Sequence, residues 1–175
     1  MIVWEGCRLE FDDYVRLRGA AMVRLARLLT GDRGAGEDLA QDVLARAFVR
    51  WERITKTGSP EAYLRQMLVN ASISRWRRLS SREVPVATAG DEVVVGDFGA
   101  DVAQRDALWR VVRELPPRQR AVVVLRFYED LDDASIAAIM HCSAVTVRTQ
   151  VMRALTTLRS RVDASAETTS LRSTP

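Results

Sequence analysis

Asp132 to Arg161, DDASIAAIMHCSAVTVRTQVMRALTTLRSR, reads as a short helix, a tight turn and a longer helix, the layout of a helix-turn-helix. Asp132 or Asp133 is placed to cap the first helix, whose Ile136, Ala137, Ile139 and Met140 are apolar on one side. His141 and Cys142 form the turn, and Ser143 caps a last helix from Ala144 to about Val162. Val145, Val147, Val151, Leu155 and Leu158 supply an inward stripe. Thr146, Arg148, Thr149, Gln150 and Arg153 are left projecting outward. Those five are suited to base edges and phosphates in a DNA major groove. A helical hairpin with a merely solvated polar face would show the same pattern.

Upstream, the pattern stays helical. Phe11 to Leu29 carries Tyr14, Leu17, Ala21, Leu25 and Leu28 on one stripe, with Asp12 or Asp13 as cap and Gly31-Asp32 as stop. A second helix spans about Gly34 to Trp51, with Leu39, Val43, Leu44, Ala47, Phe48 and Trp51 on its apolar face and Glu37, Asp38 and Asp42 near its start. A polar stretch, Arg53 to Ser59, precedes a third helix opened by Pro60 and capped by Ser59. That helix holds Asn70 among apolar neighbours and ends in Arg75-Trp76-Arg77-Arg78. Taken alone, the acidic group and the basic run are also what helix-dipole stabilisation would place there. Glu83 to Asp101 loses periodicity, is broken by Pro85, Gly90, Gly96 and Gly99, and carries only acidic charge after Glu83, so it reads as a flexible linker. Val102 to Glu114 is helical again, Leu115-Pro116-Pro117 starts a further helix to about Tyr128, and the Ser/Thr-rich stretch from Asp163 to Pro175 is expected to be disordered.

Composition narrows the class. A net charge of +3 and 47% hydrophobic residues suit compact units with a nucleic-acid partner. Cys7 and Cys142 lie far apart, so neither a disulfide framework nor a zinc site is expected. One histidine, no Gly-rich phosphate loop and no nucleophile elbow point away from an enzyme, a metal centre or a cofactor site. No apolar run approaches the roughly 18 residues of a membrane span. With no secretory signal pattern in Met1 to Glu10, the expected location is the cytoplasm.

Taken in order, these segments resemble the extracytoplasmic-function sigma factors of bacterial RNA polymerase, over about Phe11 to Arg161. Glu37-Asp38-Leu39-Ala40-Gln41-Asp42-Val43 is similar to their polymerase-binding helix. Tyr63-Leu64-Arg65, Val69-Asn70 and Ser74-Arg75-Trp76-Arg77-Arg78 are similar to their promoter-melting helix. Leu115 to Arg120, Val122 to Leu131 and Cys142 to Thr149 are similar to their C-terminal domain. The resemblance implies an all-α chain of two small helical domains. Residues 1–82 would bind core polymerase and the −10 element, 83–101 would link, 102–163 would carry the helix-turn-helix for the −35 element, and 164–175 would be a tail.

It further implies roles. Asp38, Gln41 and Asp42 would face polymerase. Lys56, Asn70, Ser74, Arg75, Trp76, Arg77 and Arg78 would meet the −10 element. Ser143, Thr146, Arg148, Thr149, Gln150, Met152 and Arg153 would serve the −35 element. Core RNA polymerase and promoter DNA are the implied partners, with an anti-sigma factor as a possible third, and no cofactor is implied. This chain departs from the family pattern at His141, where glycine is usual, and at Ser135, where an acid would complete a capping box. A dimeric helix-turn-helix regulator would leave the acidic and basic upstream helices unused, and a protein-binding adaptor would lack DNA affinity.

Overall fold

The computed structural model describes residues 10–80 and 109–171, with side chains through residues 78 and 161 of those stretches. The described residues form helices and turns without a strand: α1 (Phe11–Thr30), α2 (Arg33–Val49), α3 (Trp51–Thr55), α4 (Pro60–Ser80), helical residues 109–113 (α5), α6 (Pro117–Phe127), α7 (Asp133–Met140) and α8 (Ala144–Leu171). The linker expected over 83–101 lies outside the described residues, as do Cys7 and residues 172–175.

Local chemistry sets the boundaries. Asp12 and Asp13 sit in the first turn of α1, where they favour the helix dipole, and the N-cap is Glu10 rather than either of them. Gly31 closes α1 in the left-handed conformation at φ 74°, its N–H bonded to the Arg27 carbonyl at 2.8 Å. Asp32 then caps α2, accepting from the Ala35 N–H at 2.6 Å. Ser59 receives the Ala62 N–H at 3.3 Å and opens α4. The second helix stops at Val49, and part of the polar stretch winds into α3 because Ile54 is buried there. At the other end, α8 runs to Leu171, past the Val162 end expected from sequence, since neither Gly nor Pro interrupts 163–171.

Gly36 lets α1 and α2 meet. A Cβ there would lie 2.5 Å from the Arg27 Cα, so only hydrogen fits. Around that crossing, Leu25, Leu28, Leu39, Val43, Ile54, Leu64 and Leu68 are buried. Phe11 packs edge-on and Tyr14 tilted against Trp51, at centroid distances of 5.2 and 5.0 Å. The Tyr14 hydroxyl meets the Met22 sulfur at 3.5 Å, and burial pushes its pKa up to about 12. Phe48, expected inside, is 62% exposed and only edges onto Phe11.

The core does not stop at the first half. Ala121, Val122, Val124, Leu125, Ile136, Met140 and Val147 belong to the same buried cluster as Leu25 and Leu68. Polar ties cross the boundary too. Arg65 on α4 pairs with Glu129 at 2.6 Å, and Arg120 on α6 donates to the Thr30 carbonyl at 2.6 Å. Arg120 is only 7% exposed. Burial lowers its guanidinium pKa to about 10, which still leaves it charged at neutral pH. Two small helical units that each bury a modest core gain by sharing one.

The Gly36 crossing makes a signed prediction. Gly36→Ala should lower stability by about 1–3 kcal/mol through overpacking. Gly19→Ala, mid-helix with only an ordinary 3.4 Å contact to Val15, should raise it by about 0.5–1 kcal/mol. Thermal unfolding followed by circular dichroism reads both; a Gly36→Ala chain as stable as the parent would contradict the packing.

Candidate nucleic-acid interface

The helix-turn-helix is fixed by two caps and one unusual residue. Asp132 accepts from the Ser135 N–H at 2.7 Å, and that backbone bond, with a side-chain bond from Ser135, holds its carboxyl below the ordinary range. No acid reaches back from position 135, so the capping box stays one-sided. His141 ends α7 at φ 50°, its N–H on the Ala137 carbonyl, and does without the glycine usual at such a turn. Ser143 receives the Thr146 N–H at 3.1 Å, and its hydroxyl pairs with that of Thr146 at 2.9 Å. Arg126 and Arg148 converge on Asp133, the latter at 3.8 Å, which ties α6 and α8 to the start of α7.

These constraints leave one face of α8 in solvent. Ser143, Arg148, Thr149, Met152 and Arg153 are exposed, as expected of groove-facing residues, while Thr146 and Gln150 are half-buried. The inward stripe is Val147 and Ala154, with Val151 and Leu158 partly buried against it. Val145 and Leu155 were assigned to that stripe from sequence and instead face out, at 63% and 40% exposure. The rotation of the helix is set by Val147 and Ala154, seven positions apart and therefore aligned, which turns 145 and 155 away.

The second group of expected site residues gathers in a cleft of about 890 Å³ between α2, α4 and the α7–α8 turn. Asp38 and Asp42 line one wall, Asn70, Ser74, Arg75 and Arg78 the other, and His141 stands at its edge. Arg75 reaches Asp38 at 3.8 Å, and Asp42 is paired with Arg46 at 2.5 Å. The acidic and basic residues, expected to face different partners, are thus neighbours. Glu37 is different: Arg27 and Arg33 bond its carboxylate and hold it below the ordinary range, so it braces α1 against α2. Gln41, Trp76 and Arg77 are exposed beyond the cleft lining. Lys56 lies apart, beside a separate cleft of about 300 Å³ with Val49, Arg50, Glu52 and Arg53. Arg65, Arg120 and Glu129 fall in the family-like segments but carry no expected tie between the halves, because a long-range polar contact leaves no mark on local periodicity.

Among the described residues, no group of three His, Cys, Asp or Glu could hold a metal, and no helix is long and apolar enough to cross a membrane.

Comparison with known proteins bears on the whole chain. Residues 11–82 match the family model of sigma-70 region 2, and residues 105–158 match that of sigma-70 region 4. The RNA polymerase sigma-E factor of Streptomyces coelicolor is 40% identical over 86% of this chain and 85% of its own length. The extracytoplasmic-function sigma factor SigM of Mycobacterium tuberculosis is 29% identical over 85% of this chain and 75% of its own length. The sigma factor RpoE of Bartonella quintana, solved in complex with the anti-sigma factor NepR, has a TM-score of 0.68 at 22% identity, covering 87% of this chain and 96% of that one, a likeness of fold. With an N-terminal helical unit and a helix-turn-helix unit each matching its model, and relatives aligned along most of their length, the chain belongs to the sigma-70 family of RNA polymerase sigma factors, in its extracytoplasmic-function class.

Proposed function

We propose that this sigma factor binds core RNA polymerase through Asp38, Gln41 and Asp42, meets the −10 element along α4, and reads the −35 element with α8. It acts as a binding subunit in the cytoplasm; catalysis belongs to the polymerase. The observation that carries the reading is the capped, solvent-facing side of α8, where Arg148, Thr149, Met152 and Arg153 stand on a helix anchored from behind by Val147 and Ala154. Residues 1–82 and 102–163 are the two functional units, joined through 83–101. An anti-sigma protein is included among the partners, in line with the complex in which the Bartonella RpoE neighbour was solved.

The geometry adds a requirement. The two promoter elements lie about 25 base pairs apart, roughly 85 Å at ~3.4 Å per step. Here α4 and the helix-turn-helix share a core, and Gln66 of α4 touches the Ala138 carbonyl at 3.5 Å. Engaging both elements at once therefore requires the halves to part, which breaks the Arg65–Glu129 and Arg120–Thr30 ties.

Two sets of variants test the assignment. Asp38→Lys with Asp42→Lys should reduce recovery of core polymerase by roughly tenfold or more, with helical content unchanged, because like charges then meet at the docking surface. Undiminished recovery would remove those residues from the interface. In holoenzyme binding to promoter variants at several salt concentrations, Arg148→Ala should cost about 1–3 kcal/mol of discrimination within the −35 element. Arg153→Ala should instead weaken all sequences and reduce the salt slope by about one. Wild-type affinity, preference and slope in both variants would show that α8 is not the promoter reader.

A further inference from the structure

Val145 and Met152 are among the most exposed apolar side chains described, at 63% and 69%. They are seven positions apart and so lie nearly above one another on α8. Thr149 falls between them, and its hydroxyl donates to the Val145 carbonyl at 2.9 Å. Thr156, one turn beyond Met152, likewise donates to the Met152 carbonyl at 3.0 Å. With those protons committed to the backbone, neither threonine has a hydrogen-bond donor left for a base, and each adds a methyl group. The centre of the exposed face is thus an apolar strip from Val145 to Met152, about 10 Å long, or roughly three base-pair steps. Arg148 and Arg153, both exposed, stand beside it.

Solvent exposure of such a strip needs an occupant. The flanking guanidiniums favour a polyanion over a protein groove, and the strip lies in the N-terminal half of α8, which Ser143 caps and where recognition helices meet base edges. In the major groove the one apolar feature of a base edge is the C5-methyl group of thymine. We infer that Val145 and Met152, with Thr149 between them, read thymine methyl groups in the −35 element; this rests on the assignment of α8 as the promoter reader. Arg148 and Arg153 keep the base and phosphate contacts proposed above, and the strip adds a preference for thymine that hydrogen bonding does not supply.

The test uses holoenzyme reconstituted from core polymerase and the full chain. Promoters are selected from a library randomised over the −35 element, and the selected duplexes are resynthesised with deoxyuridine for thymine in that element, which removes only the methyl groups. Selected elements should carry thymine within three consecutive steps, and each deoxyuridine there should weaken binding about three- to fourfold, the worth of one buried carbon. Val145→Ala with Met152→Ala should bind the thymine and deoxyuridine duplexes alike. Both side chains are exposed, so folding is not at issue, and the wild-type comparison decides even without the variant. Selected elements without thymine, equal wild-type binding to both duplexes, or an undiminished deoxyuridine effect in the double variant would each overturn methyl reading while leaving promoter selection in place. Failure to select any −35 sequence would instead overturn it together with the assignment of α8.

Discussion

The joint between the two halves is built on the C-terminal end of α1. The last carbonyls of a helix lack intrahelical partners and carry the negative end of the dipole. Arg120 brings a nearly buried guanidinium to that end and donates to the Thr30 carbonyl at 2.6 Å. Its Nε has no hydrogen-bond partner among the described residues. Gly31 makes the approach feasible: it takes φ 74°, and a Cβ there would lie 2.1 Å from the Arg120 Nη1. One glycine thus ends α1 and clears the seat for a cation from the other half. A buried cation with no carboxylate partner among the described residues is a costly tie, and its release into water on opening would regain that desolvation cost.

That balance suits the proposed function, in which the chain is folded alone and parts its two reading surfaces on DNA. The apolar part of the interface, Leu25 and Leu68 against Val122, Leu125 and Ile136, favours closure. The polar part, Arg120 and the Arg65–Glu129 pair, can exchange its partners for water. The closed packing also brings His141, in the turn before α8, to the edge of the cleft that holds Asp38 and Asn70. The residues proposed to read the promoter and those proposed to face polymerase are therefore near one another in the closed packing.

Much of this was legible in the sequence because it is local. The caps at Ser59, Asp132 and Ser143, the stop at Gly31 and the turn at His141 follow from side-chain chemistry within four residues of each helix end, whereas Asp32, read only as part of the stop, also caps α2. Of the residues read as outward on α8, Arg148, Thr149 and Arg153 are exposed while Thr146 and Gln150 are half-buried, and Val145 and Leu155, read as inward, face out. Those two were misplaced because a valine or leucine reads as core wherever it falls near an apolar stripe, and the actual rotation of α8 is set by Val147 and Ala154 packing against the preceding helices of the second half. Phe48 failed in the same way. The shared core, Arg120 and the pairing of Asp38 with Arg75 depend on tertiary approach and leave no pattern along the chain.

A bridge across the joint decides whether the closed chain must open to initiate. Gln66→Cys with Ala138→Cys, in a chain whose Cys7 and Cys142 are replaced by serine, sets two thiols across the joint where Gln66 now meets the Ala138 carbonyl at 3.5 Å. Bridging them with a short thiol-specific crosslinker and measuring promoter-specific run-off transcription with core polymerase is the direct test. The bridge should form in the free chain and abolish transcripts that the unbridged variant still makes. A bridged chain that initiates at the unbridged rate, or thiols that never bridge in the free chain, would contradict it.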